Sequence, residues 1–156
     1  MSLDPHTLLT VNVANLLALS ILLPIIMGRT LSLAAQSARR SLIVHAAAWI
    51  AVILSEVWAA HGQINLALST LSMTCYSASN WLFYQALGAW LGKRRYRKTL
   101  GALCLVMPVG YFLLFDNYEA RVGWSNLLIA LQVAALAIAT LRPTTRQNGP
   151  WRFALF

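Results

Sequence analysis

Apolar residues in this chain come in long runs and do not alternate. Five stretches are dense in Leu, Ala, Ile and Val: roughly Thr7–Met27, Ser41–Ala60, Ile64–Leu91, Leu100–Phe115 and Val122–Leu141. None shows the period-2 pattern of a half-buried strand, so each is read as a helix. A helix crossing a hydrocarbon core of about 30 Å needs about 20 mostly apolar residues. All five runs qualify as spans on that measure, with boundaries good to several residues, and the fourth is the shortest. Polar segments separate them: GRTLSLAAQSARR, HGQIN, GKRRYRKT and FDNYEAR. Asp4 before Pro5 has the form of an N-cap and first-turn pair opening the first helix.

Composition turns this pattern into a fold class. Of the 156 residues, 59% are hydrophobic and 10% are charged. The mean hydropathy is +0.64. A soluble domain of this size needs polar residues over most of its surface. The expected fold is therefore an all-α integral membrane bundle of about five transmembrane helices. Residues 1–141 form the membrane domain, and 142–156 form a cytoplasmic tail or the start of a further, truncated segment. In that tail, Pro143 and Pro150 interrupt helix five before WRFALF turns apolar again, so the chain reads as a piece of a longer protein. No Lys or Arg precedes the first run, which excludes a cleavable signal peptide.

The charges are sorted along the chain. Arg29, Arg39 and Arg40 lie between runs one and two, and Lys93, Arg94, Arg95, Arg97 and Lys98 between three and four. Arg142, Arg146 and Arg152 follow run five. Every basic residue except Arg121 falls on these alternate connections. The opposite side carries Asp4, the HGQIN turn, Asp116 and Glu119. The positive-inside rule then places the N-terminus outside and the C-terminus in the cytoplasm of a bacterial inner membrane, crossed several times. The Lys93–Lys98 cluster is a topology anchor and a contact for anionic lipid, not a nucleic-acid patch, because a basic nucleic-acid binder spreads its charge over a folded face. Trp58, Tyr118 and Trp124 near the outer boundary, with Trp90 and Tyr96 near the inner one, fit aromatic belts.

Polar residues within the runs are the candidates for function. Ser69, Ser72, Tyr76, Ser79 and Asn80 share one helical face in run three, broadened by Thr70, Thr74 and Ser77. Such a face belongs against other helices or a small cavity. It serves interhelical hydrogen bonding or lines a pocket, with Asn80 as anchor and Trp81 and Tyr84 as walls. Glu56 lies near the outer end of run two. It is either a carboxylate reaching headgroups or a structural partner, or a ligand or proton site. Asn12, Asn15 and Pro24 mark an inward face and a kink in run one, and Pro108 a kink in run four. Gly88 and Gly92 form a GxxxG that permits close helix approach, as at a homodimer contact or in ordinary packing. Cys75 and Cys104 lack metal or redox spacing and read as small buried hydrophobes. His45 has no evident mate for a haem. No hydrolase, kinase or nucleotide motif appears, so no catalytic residue, metal or cofactor is expected.

The run closing with NWLFYQALGAWLGKRRYRK resembles, over Leu82 to Arg95, the "LLxxGLxxFLGR" endings in multi-pass N-terminal sensor regions of bacterial GGDEF proteins, the diguanylate cyclases. The hydropathy rhythm of roughly residues 5–141 is similar too. The resemblance implies a membrane domain that senses a signal and sets the geometry of a cytoplasmic cyclase. The GGDEF motif is absent here, so any such activity belongs to another domain. The expected function is a sensory or regulatory membrane domain, not an enzyme in this chain. It would bind a small or lipid-like signal through Glu56, Trp58, Tyr76, Asn80, Trp81 and Tyr84 and act on a cytoplasmic output module or partner. The alternatives are a structural or assembly subunit of a membrane complex, or a small transporter.

Overall fold

The computed structural model describes residues 5–27, 32–92 and 96–141. Among these the chain is all-helical, with five helices and no strand: α1 Pro5–Met27, α2 Leu33–Val57, α3 Gly62–Leu91, α4 Arg97–Leu113 and α5 Tyr118–Leu141. Lys93, Arg94 and Arg95, and the tail from Arg142 onward, lie outside the described residues, as do Asp4 and Arg29.

Each apolar run is a helix, but all five helices start earlier than hydropathy indicates, α2, α4 and α5 by three residues or more. For α2 and α5 the physical reason is capping and propensity. Ser32 caps α2, its hydroxyl accepting from the Ala35 N–H at 3.2 Å. The segment LAAQSARR that follows is rich in good helix formers. Arg39 and Arg40, expected in a loop, therefore belong to α2. Arg97 and Lys98 likewise stand on the first turn of α4. At α5, Asn117 Oδ1 accepts from the Ala120 N–H at 3.1 Å. This draws Tyr118, Glu119 and Arg121 into the helix, with Glu119 in the first turn, where a carboxylate complements the helix dipole.

α3 is central. It pairs with α2 over the longest seam and also touches α4 and α5, while α1 packs on α2 and α4 on α5. α3 ends at Gly92, whose φ of 86° suits glycine because it has no Cβ. Gly92 therefore lies beyond the helix, and a Cβ added at Gly88 would meet nothing within 4 Å. Among the described residues, Gly88 of the GxxxG pair thus makes no close approach. Close approach occurs on α4 instead. A Cβ at Gly110 would overlap the Trp124 indole, whose Nε1 donates to the Met107 carbonyl at 3.3 Å. Trp124, expected in an aromatic belt, is seated between α4 and α5.

Polarity is inverted relative to a soluble domain. The buried hydrophobic positions are mostly alanines, joined by Tyr84, Leu87, Leu91, Leu100, Met107, Tyr111 and Leu128. Buried beside them are Ser20, Ser41, Ser55, Ser69, Ser72, Ser77, Ser79, Asn80, Ser125, Gln132 and Thr140. The exterior carries the large apolar side chains, such as Ile26, Leu33, Leu105 and Leu113, each more than 70% exposed. By length and composition, α2 and α5 are long and apolar enough to cross a membrane. α4, with 17 residues, extends about 26 Å. α3 is longer still, but its hydropathy is lowered by the hydroxyl-rich face it turns inward.

One tie between α1 and α2 follows from covalent chemistry. Pro24 has no N–H, so the Ser20 carbonyl four residues earlier loses its helical donor. Arg39 Nε on α2 donates to that carbonyl at 3.0 Å. Arg121, the one basic residue away from the others, is held at the α4–α5 turn. Its guanidinium lies 4.6 Å from the Phe115 ring centroid, 5.4 Å from Tyr111 and 5.5 Å from Tyr118, and it donates to the Phe115 carbonyl. Arg39→Met should weaken the α1–α2 contact by about 1.5–3 kcal/mol, the scale of a hydrogen bond from a charged donor. Adding Pro24→Ala, which restores the N–H, should recover part of that loss. Thermal unfolding in detergent, followed by circular dichroism, measures both.

Candidate functional site

Two polar clusters meet on α3. The first lies against α2. Ser41 Oγ donates to the Ser79 carbonyl at 2.9 Å and lies 3.2 Å from Ser79 Oγ. One turn on, His45 Nδ1 is 3.2 Å from the same hydroxyl. The His45 ring tilts against Tyr76 at a centroid distance of 5.1 Å and against Trp49 at 6.3 Å. The Trp49 Nε1 atom is buried without a hydrogen-bond partner. These contacts need small side chains around them. Ala38, Ala46 and Ala48 supply that on α2 and let the backbones come close.

The second cluster joins α3, α4 and α5. Gln132 on α5 is fully buried. Its Oε1 accepts from Asn80 Nδ2 at 2.8 Å. Its Nε2 faces three acceptors: Ser77 Oγ at 3.2 Å, Met107 Sδ at 3.3 Å and the Leu103 carbonyl at 3.4 Å. Ser77 Oγ donates onward to Met107 Sδ at 3.1 Å, and Cys104 Sγ donates to the Ser77 carbonyl at 3.3 Å. A buried primary amide costs several kcal/mol if unpaired, so this set of bonds constrains three helices together. Because Ser79 and Asn80 are sequence neighbours, the two clusters form one polar layer from α2 through α3 to α4 and α5.

The proposed signal-site residues are not gathered in one place. Tyr76 and Asn80 belong to the polar layer, Tyr76 on the α2 side and Asn80 on the α5 side. The Asn80 amide is engaged as an interhelical strut, the hydrogen-bonding role expected of that face. Trp81 and Tyr84 stack at 6.0 Å, one helical turn away. Tyr84 belongs to an apolar cluster with Leu100 and Ala139, against which Trp81 and Cys104 pack. Glu56 and Trp58 stand apart. Ser41 pairs with Ser79, and Glu56 lies fifteen residues further along α2, or about 22 Å at the helical rise. Glu56 is exposed in the last turn of α2. Trp58 follows it at the helix C-cap, with its ring edge-on to His61 at 5.1 Å. Of the topology-anchor residues, Arg97 and Lys98 are exposed on α4. Arg97 lies over the Trp81 ring, 5.7 Å from its centroid.

Gln132, Ser41 and His45 hold the layer together and were missed as a group by sequence reasoning. Gln132 had a legible signal: it is the lone amide in LLIALQVAALAIA. Ser41 had none, because a serine in an apolar run takes its meaning from the residue opposite. No protein-family model, no curated protein and no solved structure matches this chain, so the functional reading rests on its own residues.

Gln132→Leu should destabilise the fold by about 1–3 kcal/mol, because Asn80 then has a buried, unmatched donor. The double change Asn80→Leu with Gln132→Leu should cost less than the sum of the two single changes. Reversible unfolding in mixed micelles gives the coupling. Gly110→Ala should cost about 1–3 kcal/mol by overpacking against Trp124, with partial recovery when Trp124→Leu makes room.

Proposed function

We propose that this chain is a multi-pass sensory or regulatory domain of a bacterial inner membrane. All five helices span it, the N-terminus is outside and the C-terminus is cytoplasmic. The observation that carries the reading is the inverted polarity: hydroxyls, amides and alanines inside, large apolar side chains outside. Water is a poor solvent for such a surface, and lipid is a good one. The charge pattern supports the orientation. Arg39, Arg40, Arg97 and Lys98 lie toward one end of the bundle, while Glu56, Asp116 and Glu119 lie toward the other.

The regulatory element is the polar layer. A signal changes such a bundle only by binding one arrangement more tightly than another. Hydrogen bonds between helices suit this role, since each can be exchanged for a bond to a ligand without leaving a group unpaired. Tyr76 and Asn80 are the signal-responsive positions, with Trp81 and Tyr84 forming the adjoining wall. Glu56 and Trp58 form a separate outer rim. The resemblance of Leu82–Arg95 to the sensor regions of GGDEF proteins makes a diguanylate-cyclase-like cytoplasmic module the output.

Two measurements test this. Fluorescent and alkaline-phosphatase fusions at the α2–α3 turn and at the 93–95 segment should report outside and inside, respectively. The reverse pattern overturns the orientation. In cells expressing the intact gene product, Asn80→Leu and Gln132→Leu should each shift cyclic di-GMP levels at equal protein abundance. Unchanged levels with correct topology would overturn the signalling role and leave the membrane assignment standing.

A further inference from the structure

A groove of about 370 Å³ runs along the α3–α4 seam. Thr74, Ala78 and Trp81 wall it on one side, and Gly101, Leu105 and Pro108 on the other. These residues recur at intervals of three to four, so the groove follows both helices lengthwise. Gly101 lies against the Trp81 ring, which a Cβ there would meet at 3.4 Å. The lining is almost wholly apolar, and the groove opens on the face where Leu105 is 72% exposed.

The end of the groove is not apolar. One turn before Gly101 on the same face of α4 stands Arg97, its guanidinium 5.7 Å from the centroid of the Trp81 ring. No described residue accepts a hydrogen bond from that guanidinium, and Lys98 lies beside it, exposed. An exposed planar cation with paired donors matches a phosphate. The helical distance from Arg97 to Pro108 is about 16 Å. A long apolar slot ending at an exposed guanidinium has the chemistry of one lipid molecule, with its tail in the slot and its anionic headgroup at the mouth.

We propose that the α3–α4 groove is a binding site for an anionic phospholipid, one acyl chain lying against Trp81 and Gly101 and the phosphate on Arg97. The inference rests on the membrane reading above and adds a specific lipid contact to it. The site is distinct from the polar layer, though Ser77 and Cys104 border both. An occupant would press on the same two helices that Gln132 holds together.

The test uses the whole chain, extracted in mild detergent from vesicles of equimolar phosphatidylglycerol and phosphatidylcholine, with retained lipid counted by native mass spectrometry. Retention should favour phosphatidylglycerol by about fivefold, the scale of one basic residue acting on an anionic lipid. Arg97→Gln should bring the ratio close to one while lipid is still retained. Ala78→Trp, which fills the slot from its open side without entering the helix seam, should abolish retention of either lipid. Leu105→Trp repeats that test from α4. Unchanged retention in both filled variants overturns the proposal. So does a preference that survives Arg97→Gln but vanishes when Lys93, Arg94 and Arg95 become glutamine, since that marks general surface attraction. A Cys104–Cys104 cross-link in the Cys75→Ser chain, with no lipid retained, would assign the groove to a second copy and also overturn it. A chain washed from membranes by carbonate would refute the membrane reading itself, an outcome distinct from the others.

Discussion

The amide of Gln132 is the constraint on which the packing of α3, α4 and α5 depends. Fully buried, it must place one acceptor and two donor hydrogens among neighbours, and its partners come from both other helices. Apolar packing alone is permissive about rotation and sliding, because one alanine face fits another in several registers. A hydrogen-bonding amide is not permissive: a shift of one residue would leave Asn80, Ser77 or Gln132 unmatched. The Ser41–Ser79–His45 contacts do the same for α2. Register across most of the bundle is therefore set by polar groups, and closeness by the small residues around them.

Proline sets a second pattern. Each proline inside a helix frees a carbonyl, and in a dry interior that carbonyl needs a donor. At Pro24 the freed Ser20 carbonyl is taken by Arg39, so a defect in α1 becomes its attachment to α2. At Pro108 the affected carbonyl is that of Cys104. Pro108 and Cys104 both border the groove, whose floor also holds Gly101. The two prolines thus occur where α1 is tied to α2 and where the groove runs between α3 and α4. Local loss of helical bonding and interhelical contact are coupled at both.

The same inversion of polarity unites the proposed roles. In the proposed membrane setting, a surface of leucine, isoleucine and valine faces lipid, and a polar layer inside gives the helices something specific to exchange. The groove on the outside and the amide network on the inside share the α3–α4 seam, joined through Ser77 and Cys104. Lipid contact and helix register would therefore act on one another through a short path of packed and hydrogen-bonded atoms. Arg97, on the first turn of α4 and over the Trp81 ring, joins that path to the charged start of α4.

The number and order of helices, and the sorting of charge, were legible in the sequence alone. Run length, the absence of alternation and the sign of each connection are local properties, written in consecutive residues. Capping at Ser32 and Asn117 was also local, but apolar content hid it, so α2 and α5 begin earlier than hydropathy implied. What only the tertiary structure decided was partnership. That Asn80 faces Gln132, that Arg39 reaches Ser20 and that Glu56 sits about 22 Å from the level of Ser41 all depend on which helices adjoin and at what rotation. Those choices emerge from matching faces across 19 to 52 positions of sequence separation. A hydroxyl or an amide in one run carries no mark of the group that will satisfy it in another.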